Sequence, residues 1–298
     1  MVRLPENTSA ETAAPFSDLN EALSPAKGDA AAGPDFEVLE RVKEAIVAER
    51  IDLYLQPVVS LPQRKVRYYE AFSRLRDEEG RVLRPGVYLE AAERTGRIGV
   101  IDNLILTRCI EAVRRFEDFD PHLMVFCNVS PATLFDSEFF SRFTSYLEEN
   151  EDLASRLIFE FTYPSIHMMH PRVESNLAEI AQRGFAFSVD HVHSIDLDWE
   201  GLRERNFRFV KASVQTLLGV SRFGAAGGDG LGQTDAMEKL RSFRTRLANV
   251  GVDLIAEKIE RESDMPEILS IGLDYGQGHL FGAPRRAEVY LESGNAAS

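Results

Sequence analysis

The amino-acid sequence predicts an α/β fold of the (β/α)8 TIM-like barrel class, and three observations carry that reading. Eight short apolar runs recur along the chain. Amphipathic segments of helical spacing lie between most of them, and the runs close on polar or charged residues. A doubly wound open sheet is the alternative architecture. No internal repeat is present.

Residues 1–35 carry small side chains and turn formers with few large apolar groups, so they read as a disordered tail or linker ahead of a barrel domain over 36–298. Asp35 is placed to cap a helix reaching about Arg50, with Val38, Leu39, Val42, Ile46 and Val47 at helical spacing. The apolar runs then fall at 53–60, 68–75, 123–130, 157–163, 185–192, 207–213, 252–259 and 275–281. Helical patterns occupy 100–116, 131–149, 171–183, 235–250 and 262–271. Gly184 and Gly251 directly follow two of these helices, where a left-handed cap is wanted. The glycine-rich stretch 219–234 lacks the Gly-Lys-Ser/Thr ending and strand–helix placement of a phosphate loop, and reads as a surface insertion.

The 298 residues are 44% hydrophobic, enough for a large core, and the formal net charge is −14. An acidic chain is a poor binder of nucleic acid, which is held through clustered Lys and Arg. A phosphate ligand would therefore need a local basic pocket or a cation. Cys109 and Cys127 both sit in apolar segments, which suits buried thiols in a reducing compartment. No apolar run approaches the roughly 18 residues of a membrane span, and the N-terminus lacks a secretion signal. These features predict a soluble, cytoplasmic protein.

The residues that close the apolar runs are Glu70, Asn128, Glu160, Asp190, Lys211, Glu257 and Gln277. In a barrel the strand C-termini converge on one face, where site residues collect. Carboxylates, an Asn and a Lys in one mouth make an oxygen-rich site for a hard cation or a phosphate. Read singly, Glu160 or Glu257 is as well explained by a side chain pointing outward from a sheet edge. Seven such residues at strand ends argue together for a site.

Seven stretches of the chain resemble the EAL domain family of cyclic di-GMP phosphodiesterases and receptors. Glu70-Ala71-Phe72 stands for the namesake motif, with Phe for its final Leu and Arg74 after it. Tyr54-Leu55-Gln56-Pro57-Val58-Val59 is similar to the family's Tyr-x-Gln-Pro-Ile-Val. Cys127-Asn128-Val129-Ser130 is similar to Val-Asn-Leu-Ser, and Phe159-Glu160-Phe161-Thr162 to Leu-Glu-Ile-Thr. Val210-Lys211-Ala212, Ile255-Ala256-Glu257-Lys258-Ile259-Glu260 and Gln277-Gly278-His279-Leu280-Phe281, with Pro284 beyond, complete the ordered set. The resemblance implies the EAL type of barrel. It also implies that Glu70, Asn128, Glu160 and Asp190 are ligands of one Mg²⁺ or Mn²⁺. Lys211 would hold water or phosphate, Glu257 would support a second metal, and Gln56, Arg74, Gln277 and Pro284 would contact the dinucleotide.

The departures fall in the part that does chemistry. The family's Asp-Asp-Phe-Gly-Thr-Gly loop is here Asp190-His191-Val192-His193-Ser194-Ile195. His191 replaces a carboxylate that bridges two hard cations, and an imidazole offers one nitrogen where Mg²⁺ and Mn²⁺ prefer oxygen. Tyr163 and Lys258 replace a family Glu and Gly. No catalytic residue is therefore expected, with Glu70, Lys211 and Glu257 as vestiges, and the second metal is doubtful. A rival reading takes His191 and His193 as neighbours on one strand face, holding Zn²⁺. His167 and His170 read as packing in a turn. Trp199 reads as a helix anchor, with contact to a base or a partner as the alternative.

The function this implies is a binding module: an inactive or very weak EAL-like barrel that takes cyclic di-GMP as effector and signals to a protein partner. A metal fits its site without being required. The rivals are a slow metal-dependent phosphodiesterase and a scaffold without nucleotide binding. The Phe in the motif and the aromatic-rich barrel opening resemble the TipF-like flagellar assembly receptors. That likeness implies a flagellar or polarity partner and recruitment to the membrane or flagellar pole. Such receptors carry a membrane segment and coiled coil ahead of the barrel, so the chain reads as a fragment or a soluble relative.

Overall fold

A computed structural model of the protein describes residues 34–290, apart from 49, 84, 118–119, 168, 193–196 and 218–230. The expected tail over 1–35 lies almost wholly outside the described residues, as do His193 and most of the glycine-rich stretch.

Helix α1 (Pro34–Val47) precedes the strands β1 (Ile51–Ser60) and β2 (Val66–Leu75). After them come α2 (Pro85–Arg94), α3 (Ile98–Phe116), β3 (Met124–Asn128), α4 (Pro131–Phe135), α5 (Ser137–Glu148) and β4 (Leu157–Thr162). The chain continues through α6 (Tyr163–His167), α7 (Pro171–Gln182), β5 (Ala186–Asp190), α8 (Trp199–Glu204) and β6 (Phe207–Ser213). It ends in α9 (Leu231–Val250), β7 (Asp253–Glu257), α10 (Met265–Ile271), β8 (Tyr275–Gln277) and a short β9 (Arg285–Arg286).

Strands β2 to β8 run parallel in chain order, and β1 closes the ring between β2 and β8. The expected barrel is present, with one strand reversed: β1 is antiparallel to both neighbours. The cause is the link between β1 and β2, which is too short to hold a crossover helix and so makes a hairpin. Its sequence carries Leu61-Pro62 and no helical spacing.

Period-two alternation sets the barrel interior in layers. The floor is apolar, built from Val58, Phe126, Ile158, Phe209 and Ile255 with Tyr68 and Tyr275 packed against them. Tyr68 meets the rings of Phe126, Phe209 and Tyr275 with centroids 5.7, 5.4 and 5.2 Å away. Two residues further toward the mouth, the same inward face carries Gln56, Glu70, Asn128, Glu160, Lys211, Glu257 and Gln277. Register locks this layer, with Gln56 opposite Glu70 and Asn128 opposite Glu160. None of these side chains faces outward from an edge, so the alternative reading of Glu160 and Glu257 is removed.

Several local expectations shift. The helix expected over 131–149 is two helices, because Asp136 adopts extended backbone and its carboxylate accepts the N–H groups of Glu138 and Phe139. Asp35 lies inside the first turn of α1 and does not cap it. Its carboxylate instead pairs with the Arg94 guanidinium on α2 at 2.7 and 2.8 Å. Helix α9 begins at Leu231, so the insertion is shorter than expected. Gly184 and Gly251 take the left-handed conformation, with φ of 91° and 73°. His170 caps α7, its Nδ1 accepting the Arg172 N–H at 3.1 Å, and His167 lies beside the Tyr163 ring. Trp199 is fully buried against Phe243, in keeping with a helix anchor.

Asp102 on α3 fixes the turn that follows β3. Its Oδ2 accepts the Ser130 N–H at 2.7 Å and the Thr133 hydroxyl at 2.5 Å. Burial pushes its carboxyl up to about 7, against those two hydrogen bonds. A group raised in the folded state contributes stability that is full below the unfolded value and is lost as pH rises through the folded one. Asp102→Asn keeps an acceptor for both donors and removes the charge. It should stabilise the protein at pH 8 by at most roughly 4 kcal/mol, and the gain should vanish below pH 4. Urea denaturation of both proteins at the two pH values checks this.

Candidate functional site

The seven strand-end residues do meet, and Lys211 is the centre of their arrangement. It lies on β6 with no solvent exposure. Its Nζ donates to Glu70 Oε2 at 2.7 Å and lies 3.0 and 2.8 Å from the two oxygens of Glu160. The ammonium also sits 4.4 Å above the Phe126 ring of the floor. Gln277 Nε2 donates to Glu70 Oε2 at 2.7 Å and to Gln56 Oε1 at 3.2 Å. Gln56 in turn donates to the Gly282 carbonyl, which ties the loop after β8 to β1. Asn128 Nδ2 reaches Glu70 Oε1 at 3.4 Å.

Four buried carboxylates, Glu70, Glu160, Asp190 and Glu257, face this one buried ammonium. Burial pushes Glu160 up to about 8 and Glu257 up to about 9, although Lys211 pulls against both shifts. Burial also opposes the charge of Lys211, yet Glu160 and Glu70 hold its pKa above the ordinary lysine value. Burial alone would raise Asp190, but the His191 hydrogen bond and Lys211 hold it down at about 2.

His191 does not lie on a strand. Strand β5 stops at Asp190, and His191 turns into the left-handed region at φ 56°. Its backbone N–H and its Nδ1 both address the Asp190 carboxylate, Nδ1 at 2.7 Å from Oδ2. The Zn²⁺ reading needed His191 and His193 on one strand face; the first has left the strand and the second is outside the described residues. Lys258, where the resemblance implies Gly, is also left-handed at φ 58°. Two non-glycine residues in this region mark the rim beyond β5 and β7 as strained.

A cavity of about 370 Å³ opens over this layer. Glu70, Arg74, Asn128, Glu160, Asp190 and His191 line one side, and Leu89 and Glu93 of α2 line the other. Arg74 is held at its rim between aromatic rings, 5.6 Å from the centroid of Tyr54 and 5.7 Å from that of Phe72. Pro284 stands apart from this wall, in the loop before β9. Sequence reasoning missed the α2 wall. Its signal was the Pro85-Gly86 start followed by Tyr88, Ala91 and Ala92 on one helical face.

Oxygen donors from Glu70, Asn128, Glu160 and Asp190 are the right chemistry for one Mg²⁺ or Mn²⁺. The residue that would share a second metal is His191, whose imidazole offers one nitrogen and closes on Asp190, so the donors suit one metal better than two. Among the described residues, no three His, Cys, Asp or Glu side chains are gathered as a ready ligand set.

Removing the ammonium should therefore expose what it neutralises. Lys211→Met should cost about 3–5 kcal/mol at pH 8, the range for breaking a buried ion pair. The stability associated with Glu160 and Glu257 is full below their ordinary value of 4.5 and is lost as pH rises through 8 and 9. The penalty of Lys211→Met should accordingly shrink at pH 5, where the carboxyls are protonated. Chemical denaturation of both proteins at the two pH values reads this out.

Comparison with known proteins agrees with the geometry. The sequence pattern of the EAL domain matches residues 39–284. "Probable cyclic di-GMP phosphodiesterase PdeI" of Escherichia coli (strain K12) is 25% identical over 264 residues, covering 86% of this chain and 32% of that protein. The chain spans between 28% and 32% of the length of the first curated relatives it matches. The EAL enzyme Bd1971 in its cAMP- and cyclic-di-GMP-bound form superposes with a TM-score of 0.71 at 18% identity, covering 87% of this chain and 68% of that one. The FimX EAL domain of Xanthomonas citri in complex with cyclic di-GMP gives 0.66 at 20% identity, covering 85% and 94%. Among the described residues no helix is long and apolar enough to cross a membrane. With the family pattern matched along most of its length and the barrel and strand-end residues in place, the chain belongs to the EAL domain family.

Proposed function

We propose that the barrel mouth binds cyclic di-GMP as an effector, hydrolyses it very slowly or not at all, and passes the bound state to a protein partner. The observation that carries this is the state of Asp190: its carboxylate is engaged by the imidazole and backbone of His191. A second carboxylate at that position would be shared between cations. An imidazole brings one nitrogen and its own hydrogen-bond donor. Supporting the ligand class, relatives are named as cyclic di-GMP phosphodiesterases, and EAL structures of the same fold were solved with that nucleotide.

In this reading Arg74 meets a phosphate, with Tyr54 and Phe72 holding its guanidinium in place. Gln56 and Gln277, in the same layer as Glu70, and Pro284 in the loop beyond β8 supply the remaining contacts. Glu70, Asn128, Glu160, Asp190, Lys211 and Glu257 form a polar layer that is already internally paired, so binding does not wait on a metal. Helix α2 separates the cavity from α1 and is joined to it by the Arg94–Asp35 pair. It is the element through which occupancy would reach a partner.

A slow metal-dependent phosphodiesterase is the second reading, favoured by the oxygen donors of Glu70, Asn128, Glu160 and Asp190. Incubation with cyclic di-GMP and excess Mn²⁺, followed by chromatography, separates the two. No linear dinucleotide is expected from the natural protein, and His191→Asp, which adds a second carboxylate, should raise turnover above background. Steady release by the natural protein that disappears in His191→Ala would overturn the effector reading.

A further inference from the structure

Away from the barrel mouth, a cleft of about 510 Å³ opens between the start of β1, the end of β2, the outer face of α3 and the residues after β9. Four arginines line it: Arg76, Arg108, Arg115 and Arg286. Three carboxylates, Asp52, Glu111 and Glu288, line it as well. On a chain of formal net charge −14 this cleft carries one more cation than anion.

The arginines are not equally engaged. Arg76 is committed to Asp52, with Nε 2.8 Å from Oδ2 and Nη2 3.1 Å from Oδ1. Arg286 is held more loosely, 3.1 Å from Asp52 and 3.5 Å from Glu288. Arg108 donates one nitrogen to Glu111 at 2.9 Å, while its Nε is buried with no hydrogen-bond partner. Arg115 is exposed and makes no ion pair or hydrogen bond among the described residues. Arg108 and Arg115 lie seven positions apart, so with Ala112 they share one stripe of α3.

One guanidinium held by a single carboxylate, one without a partner and one paired at 3.1 and 3.5 Å thus border a single space. A carboxylate has two oxygens to offer them. A phosphoryl group has three, and can meet three guanidinium forks at once. The cleft is also larger than a phosphate ion, and its floor is apolar, with Ile51, Leu53 and Ala287 buried there. We propose that this cleft is a second anion site, separate from the barrel mouth, which takes a small phosphate monoester through Arg108, Arg115 and Arg286 and seats its organic body on that floor. The site does not depend on what the barrel mouth binds.

The test uses the full chain carrying Arg74→Ala, so that the mouth stays silent, titrated calorimetrically with ribose 5-phosphate, inorganic phosphate and ribose. Saturable heat is expected with ribose 5-phosphate, weaker heat with inorganic phosphate and none with ribose. Adding Arg108→Gln and Arg115→Gln should weaken the ribose 5-phosphate affinity by at least roughly tenfold. In a chain that keeps Arg74, those two changes should leave cyclic di-GMP binding where it was. Circular dichroism of the variants checks that each is folded. Absence of saturable heat, or binding untouched by the two substitutions, would overturn the site. Equal affinity for inorganic phosphate would overturn the ester as its ligand.

Discussion

The mouth of the barrel is organised around the ammonium of Lys211, which no solvent reaches. Glu70 and Glu160 are also buried, and neither charge is tolerable there without a partner. The ammonium satisfies both, and its contact with Phe126 joins the polar layer to the apolar floor beneath. Gln277 and Asn128 then orient the remaining Glu70 lone pairs, and Gln56 carries the network to the loop after β8. The geometry of these side chains follows from strand register, because each stands two residues beyond a floor residue on the same inward face.

That internal pairing has a functional consequence. In the proposed reading, a mouth whose carboxylates are already paired internally accepts a phosphate beside Arg74 without first recruiting a cation. The same pairing leaves few free oxygen donors for a cluster of metal ions. His191 takes this further by turning left-handed and closing on Asp190, where the family resemblance implies a second carboxylate. His191 and Lys258 place two left-handed non-glycine residues at the rim, while Arg64 and Asn206 are left-handed elsewhere in the fold.

Much of this was legible in the sequence. The strand-end polar residues were visible because buried runs seldom end in charge without reason, and the barrel brings all seven together. The reversal of β1 was not legible from periodicity, since an inward face alternates equally in either direction; only the short link after Ser60 distinguishes it. The break at Asp136 was hidden because the apolar spacing of α4 and α5 continues through it, although Asp is a good cap. His191 was misplaced for a similar reason: Val189, His191 and His193 alternate as a strand would, but the Asp190 carboxylate draws the backbone of His191 out of the ladder. The cleft of arginines left no trace in the sequence, because its members come from four separate segments.

In the effector reading the mouth binds cyclic di-GMP on the strength of its own side chains. Calorimetric titration of the protein with cyclic di-GMP in the presence of EDTA tests it most directly. Saturable, micromolar-or-tighter binding that Arg74→Ala abolishes is expected. Absence of heat in EDTA, with binding restored by Mg²⁺, would contradict it and return the cation to the centre of the site.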